Sequence, residues 1–239
     1  MKILAFDTTF KFCSAALMHN KKIFFFTGRG TPFQHSEVII PLVKRLMSRS
    51  HLTLQDIDFL SVTHGPGMFT GVRVGLATAK GFSISLGVPI VSFSTFDSVV
   101  HGFLFKKDRK GNFFKRFSNI LCILSPGSRY SYYQFFKVNK SKKGFVSISK
   151  PGFGDMNHIN SILTNKGKSS PVCVIGNMNA MLQKSIYNKY DPRMFYFHSI
   201  STEPNAQDLI HLASIMGVHN KGRRISPMYI KPHYANLPK

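Results

Sequence analysis

The sequence predicts an α/β protein made of two similar lobes, each with the element order βββαβα. Two observations predict this fold class: short strand-like runs alternate with helical periodicities, and their order in the first hundred residues recurs in the second half. The 239 residues are 43% hydrophobic and 18% charged, a composition typical of globular domains. The sequence has no run near the roughly 20 apolar residues of a membrane-spanning helix, so we expect no membrane segment.

The first lobe begins with three short strands, predicted at residues 3–7, 13–18 and 23–27 by buried-strand patterns and a turn. Apolar residues at helical spacing predict an amphipathic helix at residues 34–49, which Pro41 kinks or displaces at its start. A strand, a helix and a strand follow at residues 59–63, 70–86 and 88–93, and Thr70 is the expected helix cap.

The second lobe repeats this order without a matching sequence repeat. We predict strands at residues 119–124, 132–138, 144–148 and 172–176, and helices at residues 157–165 and 179–190. The expected domains are residues 1–100 and 101–204, with a basic, Phe-rich bridge at residues 101–117. A helix at residues 205–217 is expected to pack back onto the first lobe, and residues 218–239 form a C-terminal extension.

The formal net charge of +22 comes from 32 Lys and Arg against 10 Asp and Glu. It indicates either a polyanionic partner such as nucleic acid or a bias toward AT-rich codons. The cysteines Cys13, Cys122 and Cys173 lie in apolar stretches without metal-ligand spacing, which predicts core thiols. Residues 1–7 lack the pattern of a signal peptide, so we expect a cytoplasmic protein.

The turn and helix at residues 63–81 are the most informative segment. Gly71, Gly75 and Ala79 recur every four residues and form a smooth strip that lets another backbone approach closely. The strip either receives a partner helix or packs on this chain's own sheet. Arg73 is expected to point away from it. The turn is neither GxGxxG nor a P-loop, so it does not by itself predict nucleotide binding.

Three stretches resemble the bacterial TsaB (YeaZ) family. They are Ile-Leu-Ala-Phe-Asp-Thr-Thr at residues 3–9, Gln-His-Ser-Glu at residues 34–37, and Gly-Pro-Gly-Met-Phe-Thr-Gly-Val-Arg-Val-Gly at residues 65–75. The resemblance is strong over residues 1–100, faint across the second lobe, and weak again at residues 205–213 and 227–231. It implies the actin, sugar-kinase and Hsp70-like (ASKHA) fold.

The resemblance also implies a function. Members of this family are noncatalytic relatives of TsaD and assemble with it by pairing first-lobe helices, while an ATPase, TsaE, joins the complex. Together they transfer threonylcarbamoyl to the N6 of the adenosine adjacent to the anticodon in tRNA. We therefore expect an accessory scaffold with a TsaD-like and a TsaE-like partner, tRNA bound through the complex, and a homodimer in isolation.

The partner interface expected from this resemblance lies on the two long helices of the first lobe. Its candidate residues are His35, Val38, Leu42, Leu46, Gly71, Arg73, Gly75, Thr78 and Ala79.

Catalytic chemistry is not expected, and no cofactor is predicted. Catalytic relatives hold a metal through two histidines four residues apart on the first long helix, whereas here His35 is followed at position 39 by Ile. His35 is then a helix-start or surface residue. Asp7 occupies the place of a nucleotide-site acid, but Thr8 and Thr9 replace the glycine that usually follows, which suggests a vestigial nucleotide site.

The second lobe departs from the family pattern. Relatives carry an Asp-Ala-Arg stretch after its first strand, where this chain has Ser125-Pro126-Gly127-Ser128-Arg129.

Two other functions stay open from the sequence. One is a basic RNA-binding module, and the other is a nucleotide-binding ATPase or kinase of the same fold that uses Asp7.

Overall fold

The computed structural model describes residues 1–28, 34–107, 117–127, 129–139, 144–166, 171–191, 195–197, 203–216 and 225–230. The chain divides into two compact units, residues 1–102 with 204–228 and residues 103–203 with 229–239, which we call the first and second lobes. Most of the expected C-terminal extension at residues 218–239 lies outside the described residues, as do residues 108–116 of the expected bridge at residues 101–117.

The first lobe is a five-stranded mixed sheet in the order β3-β2-β1-β4-β5, with β1 antiparallel to β2 and parallel to β4. Its elements are β1 (Lys2–Asp7), β2 (Ser14–His19), β3 (Lys22–Thr27), α1 (His35–Ser50), β4 (Phe59–Thr63), α2 (Phe69–Leu86), β5 (Ile90–Phe93), α3 (Thr95–Lys107), which runs into the second unit, and α6 (Ala206–Met216).

Strand alternation decides which helices cover each face of this sheet. Leu4 and Phe6 of β1 point to one face and pack under α1 and α2 in one hydrophobic cluster. Ile3 and Ala5 point to the other face and pack under α6. The backbone N–H of Ala206 donates to Ser14 Oγ at 2.9 Å, which anchors the start of α6. Helices α1 and α2 therefore lie together on one face.

The second lobe has a sheet in the order β11-β10-β6-β7-β8, with β9 paired to β7. Its elements are β6 (Asn119–Leu124), β7 (Tyr130–Asn139), β8 (Gly144–Ser147), β9 (Gly152–Asp155), α4 (Met156–Lys166), β10 (Val172–Asn177), α5 (Ala180–Lys189) and β11 (Phe195–Phe197). The central strand β6 is antiparallel to β7 and parallel to β10. When the additional strand β9 is left out and the strands are counted from the first of each lobe, the two orders are the same, which confirms the predicted pair of similar α/β lobes.

The structure corrects several predicted elements. Helix α2 begins at Phe69, and its cap residue is Met68, so Thr70 is not the cap. Pro41 lies inside α1, which starts close to the predicted position. Helix α3 and the strands β9 and β11 were not predicted.

The β9 strand was missed because half of its residues are glycine. A Cβ at Gly152 would overlap the ring of Tyr133, and one at Gly154 would overlap the ring of His158. The two rings cover the glycine backbone and replace the side-chain packing that the strand lacks. Tyr133 Oη and His158 Nε2 also lie 2.9 Å apart, within hydrogen-bonding distance.

Among the described residues, no helix combines the length and the apolar character needed to cross a membrane.

The N-terminus of α5 gives a stability prediction. Asn179 caps this helix, because its side-chain oxygen accepts a hydrogen bond from the N–H of Leu182 at 2.8 Å. We expect Asn179→Ala to lower the free energy of unfolding by about 1 kcal/mol, since such caps contribute about 0.5–2 kcal/mol. Asn179→Asp retains the acceptor and should stay close to the native value in urea unfolding. Equal stability of the Ala variant and the native chain would contradict this role.

Candidate functional site

The loop after β1 lies against the start of α2. The side chain of Thr8 donates to the carbonyl of Gly71 at 2.7 Å, and the N–H of Met68 donates to the carbonyl of Thr9 at 2.7 Å. Both threonines are buried. The loop is therefore fixed to α2 at two points by hydrogen bonds within this chain.

The glycines of α2 make this approach possible. A Cβ at Gly71 would overlap the carbonyl oxygen of Thr8, and a Cβ at Gly75 would overlap its Oγ1. A Cβ at Gly67, just before the helix, would likewise overlap the carbonyl oxygen of Thr9. The strip therefore packs against the chain's own loop after β1. Of the two alternatives left open by the sequence, this agrees with internal packing and not with a partner helix.

Most of the residues expected at the partner interface take part in this internal packing. Gly71, Gly75 and Ala79 are buried in the first lobe, and so are His35, Leu42 and Leu46 of α1. Val38 and Thr78 are half-buried. Only Arg73 of the nine residues is exposed, as expected, and its guanidinium lies 3.7 Å from the ring centre of Phe69. The six buried residues belong to the lobe's own packing.

Asp7 ends β1 with no exposed surface. Its Oδ1 accepts from the N–H of Thr9 at 3.0 Å and from Thr9 Oγ1 at 2.8 Å, and its Oδ2 accepts from Thr63 Oγ1. Burial raises the pKa of Asp7 above its ordinary value of 3.8, while these hydrogen bonds and nearby His35 oppose the rise. Both carboxylate oxygens are directed at groups of this chain.

His35 is the first residue of α1, which confirms the expected helix-start position, and its side chain is buried and not at the surface. Neither ring nitrogen has a hydrogen-bond partner within the described part of the chain. Burial lowers the pKa of His35, and the nearby Asp7 carboxylate opposes this shift. Four positions on, Ile39 lies in the hydrophobic core. In the described residues, no group of three or more His, Cys, Asp or Glu side chains is placed to hold a metal ion.

The free side of α1 and α2 offers a different set of residues. Ile84 is 85% exposed, and Phe69 and Ile40 are about 40% exposed. Ala77 and Gly81 are also exposed, and space is open above Gly81. We call Ile40, Phe69, Arg73, Ala77, Gly81 and Ile84 the outer helix face. Only Arg73 of this face was predicted from the sequence. The available signal was helical spacing, since Phe69 and Ala77 lie four residues from Arg73 and therefore share its side of α2.

The altered stretch of the second lobe makes internal contacts. Ser125 Oγ lies 2.7 Å from Ser131 Oγ and accepts from the N–H of Asn179 at 3.3 Å. Arg129 is exposed. The three cysteines are buried and unpaired, as expected, and burial raises the pKa of Cys13 to about 12.

Comparison with known proteins gives consistent relatives. A family model described as TsaD, tRNA N6-adenosine threonylcarbamoyltransferase, matches residues 31–141. A tRNA threonylcarbamoyladenosine biosynthesis protein TsaB from Buchnera aphidicola subsp. Baizongia pistaciae is 28% identical over 95% of this chain and 97% of its own length. The Escherichia coli TsaB protein is 34% identical over 43% of this chain and 44% of its own length.

Solved structures agree on the fold. The structure of YeaZ from Pseudomonas aeruginosa superposes with a TM-score of 0.73 at 17% identity, covering 95% of this chain and 99% of that one. A second Pseudomonas aeruginosa structure, described as similar to peptidase YeaZ, has a TM-score of 0.76 at 18% identity over 96% and 99% of the two chains.

Two lobes with the same order of core strands, and an acid at the end of the first strand, are the architecture of the actin, sugar-kinase and Hsp70-like fold. The chain is similar to the TsaB (YeaZ) family along most of its length.

The buried carboxyl of Asp7 predicts a pH dependence of stability. Because its pKa is raised on folding, the protonated form is favoured in the folded chain, and stability is lost as the pH rises above 3.8 through the folded pKa. The variant Asp7→Asn has no carboxyl at this position, so its stability does not show this pH-dependent decrease. The free energy of unfolding of the native chain, relative to that of the variant, should therefore fall between pH 4 and pH 8 in urea titrations. A difference that stays constant over this range would contradict the raised pKa.

Proposed function

We propose that this chain is a noncatalytic scaffold and activator subunit of the complex that transfers threonylcarbamoyl to the N6 of the adenosine adjacent to the anticodon in tRNA. Its curated relatives are named for the biosynthesis of this modified nucleoside, which supports a role in the same pathway. The catalytic partner is a TsaD-like subunit, a TsaE-like ATPase joins the complex, and tRNA is bound by the assembly.

The observation that best supports the noncatalytic role is that the loop after β1 is closed against the start of α2. A phosphate-binding site of this kind needs free backbone amides and an acid accessible to solvent. Here Asp7 is fully buried, and Thr8 and Thr9 fill the space beside Gly67, Gly71 and Gly75. These residues favour a structural role over use of Asp7 by an ATPase or kinase.

The partner-binding surface in this proposal is the outer helix face. Exposed apolar side chains on two adjacent helices are costly in water, and burying them against a partner helix is favourable. Phe69 and Ile84 lie at opposite ends of α2, with small residues Ala77 and Gly81 between them. Small residues allow a partner helix to approach, and the larger ones fill its grooves. In isolation the same face can pair with a second copy of the chain.

Co-purification with the TsaD-like protein of the same genome tests the surface. We expect Ile84→Glu to weaken the complex by at least about tenfold, because the carboxylate would be buried without a partner charge. Ile84 suits this test better than Gly75, since any side chain at Gly75 disturbs the lobe's own packing against Thr8.

The matched control is Ile215→Glu. Ile215 is 66% exposed on α6, which covers the opposite face of the same sheet. This variant should bind like the native chain, and both variants should fold equally well by circular dichroism. Equal binding by all three chains would contradict the outer helix face as the interface.

A further inference from the structure

The positive charge of the chain is concentrated in the second lobe. Residues 103–203 and 229–239 carry 19 Lys and Arg against 4 Asp and Glu, a formal net charge of +15. The first lobe, which is slightly longer, carries 13 against 6, a net charge of +7.

Three exposed cations of the second lobe form no ion pair within the part of the chain that the structure describes. Both ion pairs found among the described residues lie in the first lobe, at Asp56 and Asp58. Arg129, Lys184 and Lys189 are exposed, and none of them forms an ion pair within the described part of the chain. Arg129 and Lys189 instead lie beside the rings of Tyr130 and Tyr190. Their charge is available to an anionic ligand.

A cavity of about 360 Å³ opens next to Arg129 in this lobe. Ser131, Asn157 and Asn179 supply polar groups to its wall, and Met156, Met181 and Leu182 supply apolar surface. The cavity lies at the N-terminal ends of α4 and α5, which carry positive partial charge. Asp155 also lines it, but its Oδ1 accepts the N–H of His158 at 2.9 Å as a cap of α4.

A row of exposed side chains continues from this cavity along α5. Met181 lines the cavity, and Lys184 and Tyr187 follow it at intervals of three residues along the same side of the helix, both on exposed positions. We call these three residues the α5 row. They span about 9 Å of helix, and Tyr187 is 53% exposed. Cations that contact phosphates, alternating with an aromatic ring that stacks on a base, are the usual elements of a single-strand binding surface.

We infer that Arg129, the adjacent cavity and the α5 row form a binding surface for an RNA strand, with one base directed into the cavity. Arg129 and Lys184 contact phosphates, and Tyr187 stacks on a base. Asn157 offers its amide to the base edge in the cavity. The choice of RNA over other nucleic acids rests on the proposed function, whereas the site itself rests on the charge and geometry of the second lobe.

Salt-dependent binding of an unmodified tRNA transcript to the isolated full chain tests the inference. The variant Arg129→Gln/Lys184→Gln removes two cations from the surface. The control Lys11→Gln/Lys22→Gln removes two exposed cations from the first lobe, so both variants carry a net charge of +20. Loss of two phosphate contacts should lower the steepness of log K against log salt by about 1 to 2 and weaken binding at least about fivefold. The control should change little.

The stacking role of Tyr187 has a separate test. Tyr187→Ala should weaken tRNA binding by about tenfold without changing the salt slope, because stacking releases no counterions. Tyr187→Phe keeps the ring and should bind like the native chain.

Three results would overturn the inference. They are equal weakening by the two charge variants, no weakening by the second-lobe variant, and native binding by Tyr187→Ala. Co-purification of the same variants with the TsaD-like protein distinguishes the two proposals. The RNA surface fails if these binding tests fail while the complex still forms, and the scaffold role fails if the native chain forms no complex.

Discussion

The contact between Thr8 and the glycine face of α2 is the constraint on which the first lobe depends. Gly71 and Gly75 let the β1 loop lie directly on the helix, and the hydrogen bond from Thr8 to the Gly71 carbonyl fixes the distance. The same contact holds Asp7 inside the lobe, where Thr9 and Thr63 satisfy its carboxylate. A phosphate group would need the space that the loop occupies.

This arrangement divides the two sides of α2 between different roles. The inner side carries small residues because the chain's own backbone lies against it. The outer side carries the exposed residues Phe69, Arg73 and Ile84. The first lobe thereby presents two adjacent helices on one face of a sheet whose other face is covered by α6.

The fold was largely predictable, and the site was only partly so. Glycines four residues apart indicated a close approach, but spacing along a helix does not say whether the neighbour is a partner or the same chain. The missed helix α3 had a clear signal, since Phe96, Val99, Val100 and Phe103 are buried at helical spacing and Ser94 Oγ accepts the N–H of Asp97. Strand β9 had no such signal in the sequence, because the rings that cover Gly152 and Gly154 belong to residues outside the strand. The cavity beside Arg129 joins residues from three separate stretches, so only the folded chain reveals it.

The most direct test of the closed loop is thermal unfolding of the isolated chain with and without millimolar Mg-ATP. A ligand that binds only the folded state raises the unfolding midpoint in proportion to the logarithm of its concentration over its Kd. Because Asp7 is buried and its oxygens are already bonded, we predict no shift of the midpoint. A rise of several degrees in the native chain that disappears in Asp7→Asn would contradict the account, since it would mean that the site opens and binds the nucleotide.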